Sequence, residues 1–404
     1  MQIDRRSFLS ATSGTTLAAL LAPPTRAADG SDPLGVRRDF PVTAEEGIYL
    51  NSAYITPCPL PVVEAGQAFI EAKARRPISL EDMVAKTDDV RKAFARLVGA
   101  SPEEIGFLSS TSEGENVVAA SLELKPGDNV VVDDLHYTTS FALYRHLEQT
   151  RGIELRIVAR REGAALPADF EPLLDDKTRM VSMAWVSHQN GFRHDVRSLA
   201  ELAHARGAYL YTDAIQAVGA FPIDLAREGV DFLTTGTYKW LLGGYGVAPF
   251  FVRASLLDRI EIDRRGHLHV EKDLGGQRYQ LYRSAKKFEY ATLAFEPIYQ
   301  LGAGLSYLER VGIDRIEAHT VGLAERLRHG LAERKLRVLT PAGNRSAIVA
   351  FENPKPQEEA ARLLREARIQ VSFREKGSQI RAAAALFNNA AEIDRFLSTA
   401  ERLV

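Results

Sequence analysis

The chain has 404 residues, of which 45% are hydrophobic and 26% are charged, and its formal net charge at pH 7 is −2. This composition is typical of a globular protein with a large core, and the near-neutral charge provides no basic field that would attract nucleic acid or an anionic membrane. The single cysteine, Cys58, excludes an internal disulfide and a multi-cysteine metal site, and the nine histidines show no metal-binding spacing, so no metal is predicted.

The N-terminus has the layout of an export signal. Arg5-Arg6 precedes a mildly apolar run over residues 11–22, and a small-residue cleavage site ends at Ala27. This layout predicts a twin-arginine signal peptide over residues 1–27, recognition by the twin-arginine export machinery, and a periplasmic or secreted mature chain. The run is too short and too polar to cross a bilayer, so no membrane segment is expected in the mature form. The alternative is a basic tail on a cytoplasmic protein.

From residue 46 onward, short apolar runs alternate with amphipathic stretches, which predicts a mainly parallel sheet with helices on both faces. The predicted large domain covers residues 46–293, after an N-terminal arm at 28–45. Its expected strands are 105–108, 129–132, 180–186, 208–211, 231–233 and 247–252, and its expected helices are 111–124, 141–149 and 196–206. The polar stretch 264–283 is interpreted as a loop that crosses or covers the site, where His267, His269 and Tyr279 would shape the pocket.

The remaining residues, 294–404, are predicted to form a smaller α+β C-terminal domain. Two long helices are expected at 297–311 and 316–333, followed by a strand at 346–351 and a helix at 358–367.

Lys239 and Asp213 are the leading candidates for chemistry. Asp213 ends one predicted strand, and Lys239 follows a later one within Gly236-Thr237-Tyr238-Lys239. Ligands of a doubly wound sheet bind beyond the carboxyl ends of its strands, so both side chains are expected in one cleft. Pyridoxal phosphate needs such a pair, because the amine forms a Schiff base and the carboxylate keeps the pyridine nitrogen protonated. The alternative role for Asp213 is a helix cap.

Four consecutive hydroxyl side chains, Ser109 to Ser112, join a predicted strand to a predicted helix. A helix N-terminus offers free backbone N–H groups and a positive dipole end, which suit a phosphate group. The alternative is simple N-capping. Gln216, three residues after Asp213, would bond the cofactor's phenolic oxygen or else lie on the surface.

In this order, the motifs resemble those of the class V aminotransferase family of fold-type I pyridoxal phosphate enzymes. That group includes cysteine desulfurases, kynureninases, isopenicillin N epimerase-like proteins and carbon–sulfur lyases. The resemblance runs from about Tyr49 to the C-terminus. It implies a large domain with a mainly parallel seven-stranded sheet, a smaller C-terminal domain, pyridoxal 5'-phosphate as cofactor and a small amino-acid-type substrate.

The resemblance also implies roles for individual residues. Lys239 would be the Schiff-base lysine and proton shuttle, Asp213 would pair with the ring nitrogen, and His136 would stack on the ring, with Tyr137 as the alternative. The other implied cofactor contacts are Thr111, Ser112, Asn190, Gln216, Thr237, Tyr238 and Thr292, and the implied substrate contacts are Arg381 and Asn51. Thr292 matches a threonine that reaches the phosphate of a neighbouring subunit, so a homodimer is expected.

The chain also departs from the family pattern. Desulfurases place Ser-x-His before the lysine, whereas this chain has Gly236-Thr237-Tyr238, so Thr235 or Thr237 would supply the missing hydroxyl. Arg374, seven residues before Arg381, is interpreted as a surface charge, with a second anion contact as the alternative.

The sequence alone favours an aminotransferase that deprotonates Cα of an amino acid or amino-acid-like metabolite. A carbon–sulfur or other β-lyase and an isopenicillin N epimerase-like epimerase are the alternatives. A binding protein without activity is disfavoured by the intact Lys239, Asp213 and Arg381. Persulfide-forming cysteine desulfuration is not expected, because the resemblance implies a mobile cysteine in the C-terminal part and the only cysteine is Cys58.

Overall fold

The structure is a computed structural model, and it describes residues 30–45, 47–262 and 264–404. The predicted twin-arginine signal, residues 1–27, lies outside the described residues. The strands are, in chain order, β1 (Ile48–Tyr49), β2 (Ile105–Leu108), β3 (Asn129–Asp133), β4 (Glu154–Val158), β5 (Thr178–Ala184), β6 (Tyr209–Asp213), β7 (Phe232–Thr234), β8 (Ala248–Val252), β9 (Val270–Gly275), β10 (Arg278–Leu281), β11 (Ile348–Glu352), β12 (Ile369–Gln370), β13 (Ser372–Arg374) and β14 (Gln379–Ala383).

The α-helices are, in chain order, α1 (Leu60–Arg75), α2 (Leu80–Val98), α3 (Thr111–Ser121), α4 (Thr138–Arg151), α5 (Pro167–Phe170), α6 (Val196–His204), α7 (Leu225–Glu228), α8 (Phe295–Val311), α9 (Ile313–Glu333), α10 (Gln357–Glu366) and α11 (Ala390–Ala400). Within the described ranges, no helix is both long and apolar enough to cross a membrane.

The large domain is built on a seven-stranded sheet with the order β2-β8-β7-β6-β5-β3-β4. Only β8 runs antiparallel to its neighbours in this sheet. The prediction of a mainly parallel seven-stranded sheet is therefore confirmed. The carboxyl ends of β2, β5, β6 and β7 lie at the same edge, which is where such a sheet binds its ligands.

Both faces of this sheet are buried. In β3, Val130 and Val132 belong to one hydrophobic cluster, whereas Val131, which points the other way, belongs to a second cluster. Burial on both faces explains why the strands appear in the sequence as unbroken apolar runs and not as alternating patterns.

The polar stretch 264–283 is a β-hairpin, so the prediction of a loop was wrong. β9 and β10 pair antiparallel around Gly275 and Gly276, whose positive φ values of 76° and 58° suit a tight turn. The hairpin is exposed on both faces and therefore carries polar residues throughout, which removes the apolar alternation by which a strand is recognised. It borders a surface pocket beside Arg91 and Glu289 and does not cover the cavity at the sheet edge.

The small domain contains an antiparallel sheet of order β11-β14-β13, packed with α9, α10 and α11. The β1 segment joins it, because β1 pairs with β12 and Ile48 and Leu50 lie in the same core. The domain division at residue 294 stays a prediction. The apolar residues of α8, such as Ile298 and Leu301, pack in the core of the large domain.

A buried ion pair fixes the segment that leads into α8. Arg91 Nη1 lies 2.6 Å from Glu289 Oε1, and both side chains are almost fully buried. Glu289 also accepts from the backbone N–H of Phe107 in β2 (2.8 Å), so the pair ties this segment to the central sheet. Removal of one partner from such a pair typically costs about 3–5 kcal/mol, because the other charge stays buried and uncompensated.

Candidate active site

A cavity of about 400 Å³ opens at the carboxyl ends of β2, β5, β6 and β7. Its position agrees with the place where a sheet of this type binds ligands. Its wall is formed by Ser109, Ser110, Thr111, Ser112, Glu115, Tyr137, Thr139, Ala184, Val186, His188, Asp213, Ile215, Gln216, Gly236, Tyr238, Lys239, Tyr245, Gly246 and Val247.

Lys239 lies in this wall and is only 9% exposed. Burial lowers the pKa of its amine to about 7, although the Asp213 carboxylate acts in the opposite direction. A tight turn holds the lysine, because Leu242 N–H donates to the Lys239 carbonyl (2.9 Å) and Gly243 N–H donates to the Thr237 carbonyl (2.9 Å). The amine is therefore available as a neutral base near pH 7.

Asp213 ends β6 and is only 7% exposed. Its Oδ1 accepts from the Ile215 N–H (3.0 Å), and the residue lines the cavity. Burial raises the pKa of this carboxyl, while His136 and Lys239 act to lower it. The predicted pairing of an amine and a carboxylate in one cleft is thus present.

The N-terminus of α3 forms the seat predicted for phosphate. Ser110 is the N-cap and accepts from the Glu113 N–H (3.1 Å). Thr111 and Ser112 line the cavity, and the Thr111 hydroxyl is buried without a partner among the described residues. Capping and ligand binding are therefore divided between neighbouring hydroxyls.

Arg381 is 2% exposed and is not itself part of the cavity wall, although it contacts the wall residue His188. It donates to the His188 carbonyl and to Ser372 Oγ, and no carboxylate within the described ranges pairs with it. Burial and the nearby Arg374 lower the pKa of Arg381 to about 9. A buried guanidinium without a counter-ion suits the carboxylate of a substrate.

Arg374 and Asn51 differ from their predicted roles. Arg374, expected on the surface, is half-buried and interacts electrostatically with both Arg381 and Lys239. Asn51 does not line the cavity, because its Oδ1 accepts from Ser372 Oγ, which also accepts from Arg381. Asn51 is thus connected to Arg381 through Ser372.

His136 does not line the cavity, contrary to the prediction that it stacks on the cofactor. It is 1% exposed, and its Nε2 lies 2.9 Å from Ser182 Oγ. Tyr137, the stated alternative, forms the wall, and its ring centroid lies 4.9 Å from that of His188. The two side chains take different directions because α4 begins directly after Tyr137.

Asn190 also lies away from the cavity. Its amide donates to the Gly163 carbonyl (2.7 Å) and accepts from the Phe192 N–H (3.0 Å), so it closes its own loop and faces a second pocket. His188 from the same loop takes the place on the wall. Burial, Arg374 and Arg381 lower the pKa of His188 to about 2, so its ring is neutral.

Of four further predicted contacts, two line the cavity and two do not. Gln216 and Tyr238 line it, but the Gln216 amide donates to the Ala53 carbonyl (2.8 Å) and accepts from the Trp240 indole (2.8 Å).

Thr237 is not in the wall, because its hydroxyl donates to the carbonyls of the turn that holds Lys239. Thr292 is exposed in a neighbouring pocket that shares Ser109, Gly246 and Val247 with the main cavity.

Two residues of the cavity wall, Glu115 and Tyr245, were not predicted from the sequence. Glu115 lies three residues before Val118, on the buried face of α3. A single carboxylate at an apolar position of a helix could have indicated a buried functional group. Tyr245 stacks on Tyr238 with ring centroids 4.5 Å apart, and nothing in the sequence distinguished it from an ordinary loop tyrosine.

The wall fits pyridoxal phosphate. The chain provides a lysine amine, an opposed carboxylate, an unpartnered hydroxyl at a helix N-terminus and aromatic side walls. These are the groups that the aldehyde, the ring nitrogen, the phosphate and the ring faces require. No cluster of metal-binding side chains occurs in the part of the chain that the structure describes.

Comparison with known proteins gives the same family as the motifs. The family model "Aminotransferase class-V" matches residues 48–396. A probable cysteine desulfurase of Methanothermobacter thermautotrophicus is 33% identical over 298 residues, covering 72% of this chain and 74% of that protein. The apo structure of a cysteine desulfurase from Thermococcus onnurineus superposes with a TM-score of 0.84 at 27% identity, covering 92% of this chain and 98% of the other.

A structure at lower identity has the same fold. The cystine C–S lyase C-DES, in complex with its product cysteine persulfide, superposes with a TM-score of 0.83 at 22% identity, covering 90% of this chain and 98% of that one. The fold is that of the fold-type I pyridoxal phosphate enzymes, as predicted.

The predicted reaction, however, was wrong. An aminotransferase was favoured and persulfide-type desulfuration was not expected, whereas the Methanothermobacter relative is named a probable cysteine desulfurase and the Thermococcus structure is that of a cysteine desulfurase. The expectation came from the lack of a cysteine in the C-terminal part of the chain. That lack concerns only a sulfur acceptor within this chain.

The low pKa of Lys239 can be tested in the cofactor-free protein. We expect reductive methylation, followed by peptide mapping, to reach half its maximal rate at Lys239 near pH 7. A lysine in a short unstructured peptide, treated in the same way, should reach that point several units higher, near the usual lysine value of about 10.4. Asp213→Asn should move the Lys239 midpoint lower still, because it removes the carboxylate that raises this pKa. Equal midpoints for Lys239 and the peptide lysine would contradict the burial argument.

Proposed function

We propose that this chain, which belongs to the class-V aminotransferase family, is a pyridoxal phosphate enzyme that removes the sulfur atom of a cysteine-type amino acid. Membership of the family and the cofactor follow from the match over residues 48–396. The sulfur chemistry is supported by the 33% identity with a probable cysteine desulfurase.

The chain's own groups suit the first part of such a reaction. When bound, pyridoxal phosphate withdraws electrons from the substrate's Cα and so weakens its C–H bond. Lys239 takes up the Cα proton, because its amine is mostly neutral above about pH 7. Asp213 holds a proton at the ring nitrogen, and Arg381 binds the substrate's carboxylate with its unpaired guanidinium.

The sulfur acceptor in this proposal is a thiol of another molecule. The only cysteine, Cys58, lies outside the cavity wall, and its Sγ faces the Gly243 carbonyl at 3.9 Å. Burial raises the pKa of Cys58, which makes its thiol a poor nucleophile. An external thiolate would attack the substrate's sulfur and the C–S bond would break, so that cysteine and a thiol become alanine and a persulfide.

This reaction can be measured with the cofactor-loaded protein, cysteine and dithiothreitol. We expect alanine and sulfide in equal amounts, because dithiothreitol reduces the persulfide. Lys239→Ala should abolish both products, and Cys58→Ser should leave the rate within about twofold, as expected for a substitution away from the site. Transfer of the amino group to a keto acid without release of sulfide would contradict the proposal.

We also propose that the chain forms a homodimer. The outward face of α1 carries an apolar stripe of Leu60, Val63 and Ile70, which are 41%, 37% and 48% exposed. The other face of α1 packs on α8 through Val62 and Gly66. Exposed apolar patches of this kind mark interaction surfaces. The stripe begins close to the lysine turn, because Cys58 contacts the Gly243 carbonyl.

The dimer is tested by light scattering coupled to size-exclusion chromatography. We expect the wild-type mass to be twice that of the mature chain, and the double substitution Val63→Asp and Ile70→Asp to give monomers, because each buries a charge in the interface. Leu166→Asp places the same charge at a 54% exposed leucine elsewhere and should leave the dimer intact. A monomeric wild-type protein contradicts this proposal.

Export is the third part of the proposal, and it is supported by Arg5-Arg6, the short apolar run and the site ending at Ala27. We expect Arg5→Lys with Arg6→Lys to stop export, measured by fractionation of cells that express the full chain. N-terminal sequencing of exported protein should begin at Ala28. Recovery of uncleaved chain from the cytoplasm only would contradict export.

A further inference from the structure

Glu115 is a buried carboxylate that the proposed reaction leaves without a role. It lies on α3, one turn after Thr111, and is 4% exposed in the wall of the cavity. A buried carboxylate is costly unless hydrogen bonds compensate for the lost water. Its partners therefore indicate what it does.

Two serine hydroxyls compensate this carboxylate. Ser140 Oγ donates to Glu115 Oε2 and Ser182 Oγ donates to Oε1, both at 2.6 Å. Because each oxygen accepts from a hydroxyl, the pattern fits an ionised carboxylate. Burial alone would raise the pKa of Glu115, but His136 and the two hydroxyls lower it below its usual value.

The hydrogen bonds continue from Ser182 to His136. The backbone N–H of Tyr137 donates to His136 Nδ1 (2.7 Å), and His136 Nε2 lies 2.9 Å from Ser182 Oγ and 3.5 Å from Glu115 Oε1. The chain of donors therefore runs from Tyr137 through His136 and Ser182 and ends at Glu115. It connects the carboxylate to the backbone of Tyr137, whose ring forms the cavity wall.

The titratable groups that face Glu115 come from three places. His136 precedes α4, Tyr144 lies on α4, and Tyr211 and Asp213 lie on β6. Burial raises the pKa of both tyrosines, so they are neutral, and Lys239 interacts electrostatically with Asp213. Glu115 and Asp213 are thus the two carboxylates in the cavity wall, and Asp133, at the end of β3, acts on His136 as a third carboxylate outside the wall.

We propose that Glu115 is a positioning residue of the cofactor site: it orients His136 and Tyr137 through Ser182, and it holds a second negative charge beside Asp213. The second charge favours the protonated form of the cofactor's pyridine nitrogen, because a nearby negative charge stabilises a cation. This role depends on pyridoxal phosphate binding and is independent of the sulfur chemistry, so the two proposals fail separately.

The test is a pH titration of the visible absorbance of the cofactor-loaded Glu115→Gln protein. The glutamine amide has nearly the same shape as the glutamate carboxylate but carries no charge. The apparent pKa of the bound cofactor should therefore fall by roughly half a unit to one unit.

Two control variants separate charge from packing. Glu115→Asp keeps the charge on a shorter side chain, so it should restore the wild-type titration even if the protein unfolds at a lower temperature. Glu103→Gln removes the same charge from an exposed position and should change nothing. If Glu115→Gln does not fold, Ser182→Ala should give a smaller shift in the same direction, because loss of the donor makes Glu115 less ionised. An unchanged or higher apparent pKa in the folded variant would overturn the proposal.

Discussion

The burial of the Lys239 amine beside the Asp213 carboxylate is the constraint on which the site depends. In a poorly solvated cavity, both groups resist ionisation, which brings the amine to a pKa of about 7 and raises that of the carboxyl. An exposed lysine would stay protonated at neutral pH and could not take a proton from a substrate. The surrounding structure therefore has to exclude water while leaving an opening for a ligand.

The central sheet meets this requirement because it is buried on both faces and open only at one edge. Residues far apart in the chain converge there, since the carboxyl ends of parallel strands meet at the same edge. Gly114 shows how close the packing is: a Cβ on this residue would lie 2.0 Å from Thr234 Oγ1. The absence of a side chain lets α3 approach β7, so that its N-terminus reaches the cavity.

The sulfur chemistry illustrates the difference between a catalytic site and a complete reaction. Proton removal and carboxylate binding need groups at fixed positions, and in the proposed reaction Lys239 and Arg381 supply them. Sulfur acceptance needs only a thiolate that reaches the substrate, and a separate molecule can supply it. The position of Cys58 therefore bore on the acceptor, and the prediction failed because it extended that observation to the reaction as a whole.

Local sequence patterns predicted six of the seven strands of the central sheet but missed β4 and the helices α1 and α2. Lys239, Asp213 and the hydroxyl run that includes Thr111 and Ser112 were also recognised from such patterns, and the structure places them in the cavity wall. Apolar runs, helix caps and strand-ending polar residues are short-range signals that survive without knowledge of the fold. The hairpin of β9 and β10 was not predicted, because neither of its faces is buried. Its sequence therefore lacks the alternation of apolar and polar residues that marks a strand.

Only the tertiary structure decided which neighbouring side chain faces the cavity. His136 and Tyr137, adjacent in sequence, differ in direction by one step at the start of α4, and His188 replaced Asn190 in the same way. Glu115 acquired its place from Ser140 and Ser182, which lie on other elements. The sequence determined the chemical groups and their order along the chain. The direction of each side chain and its hydrogen-bond partners depend on contacts between distant segments, which no local pattern encodes.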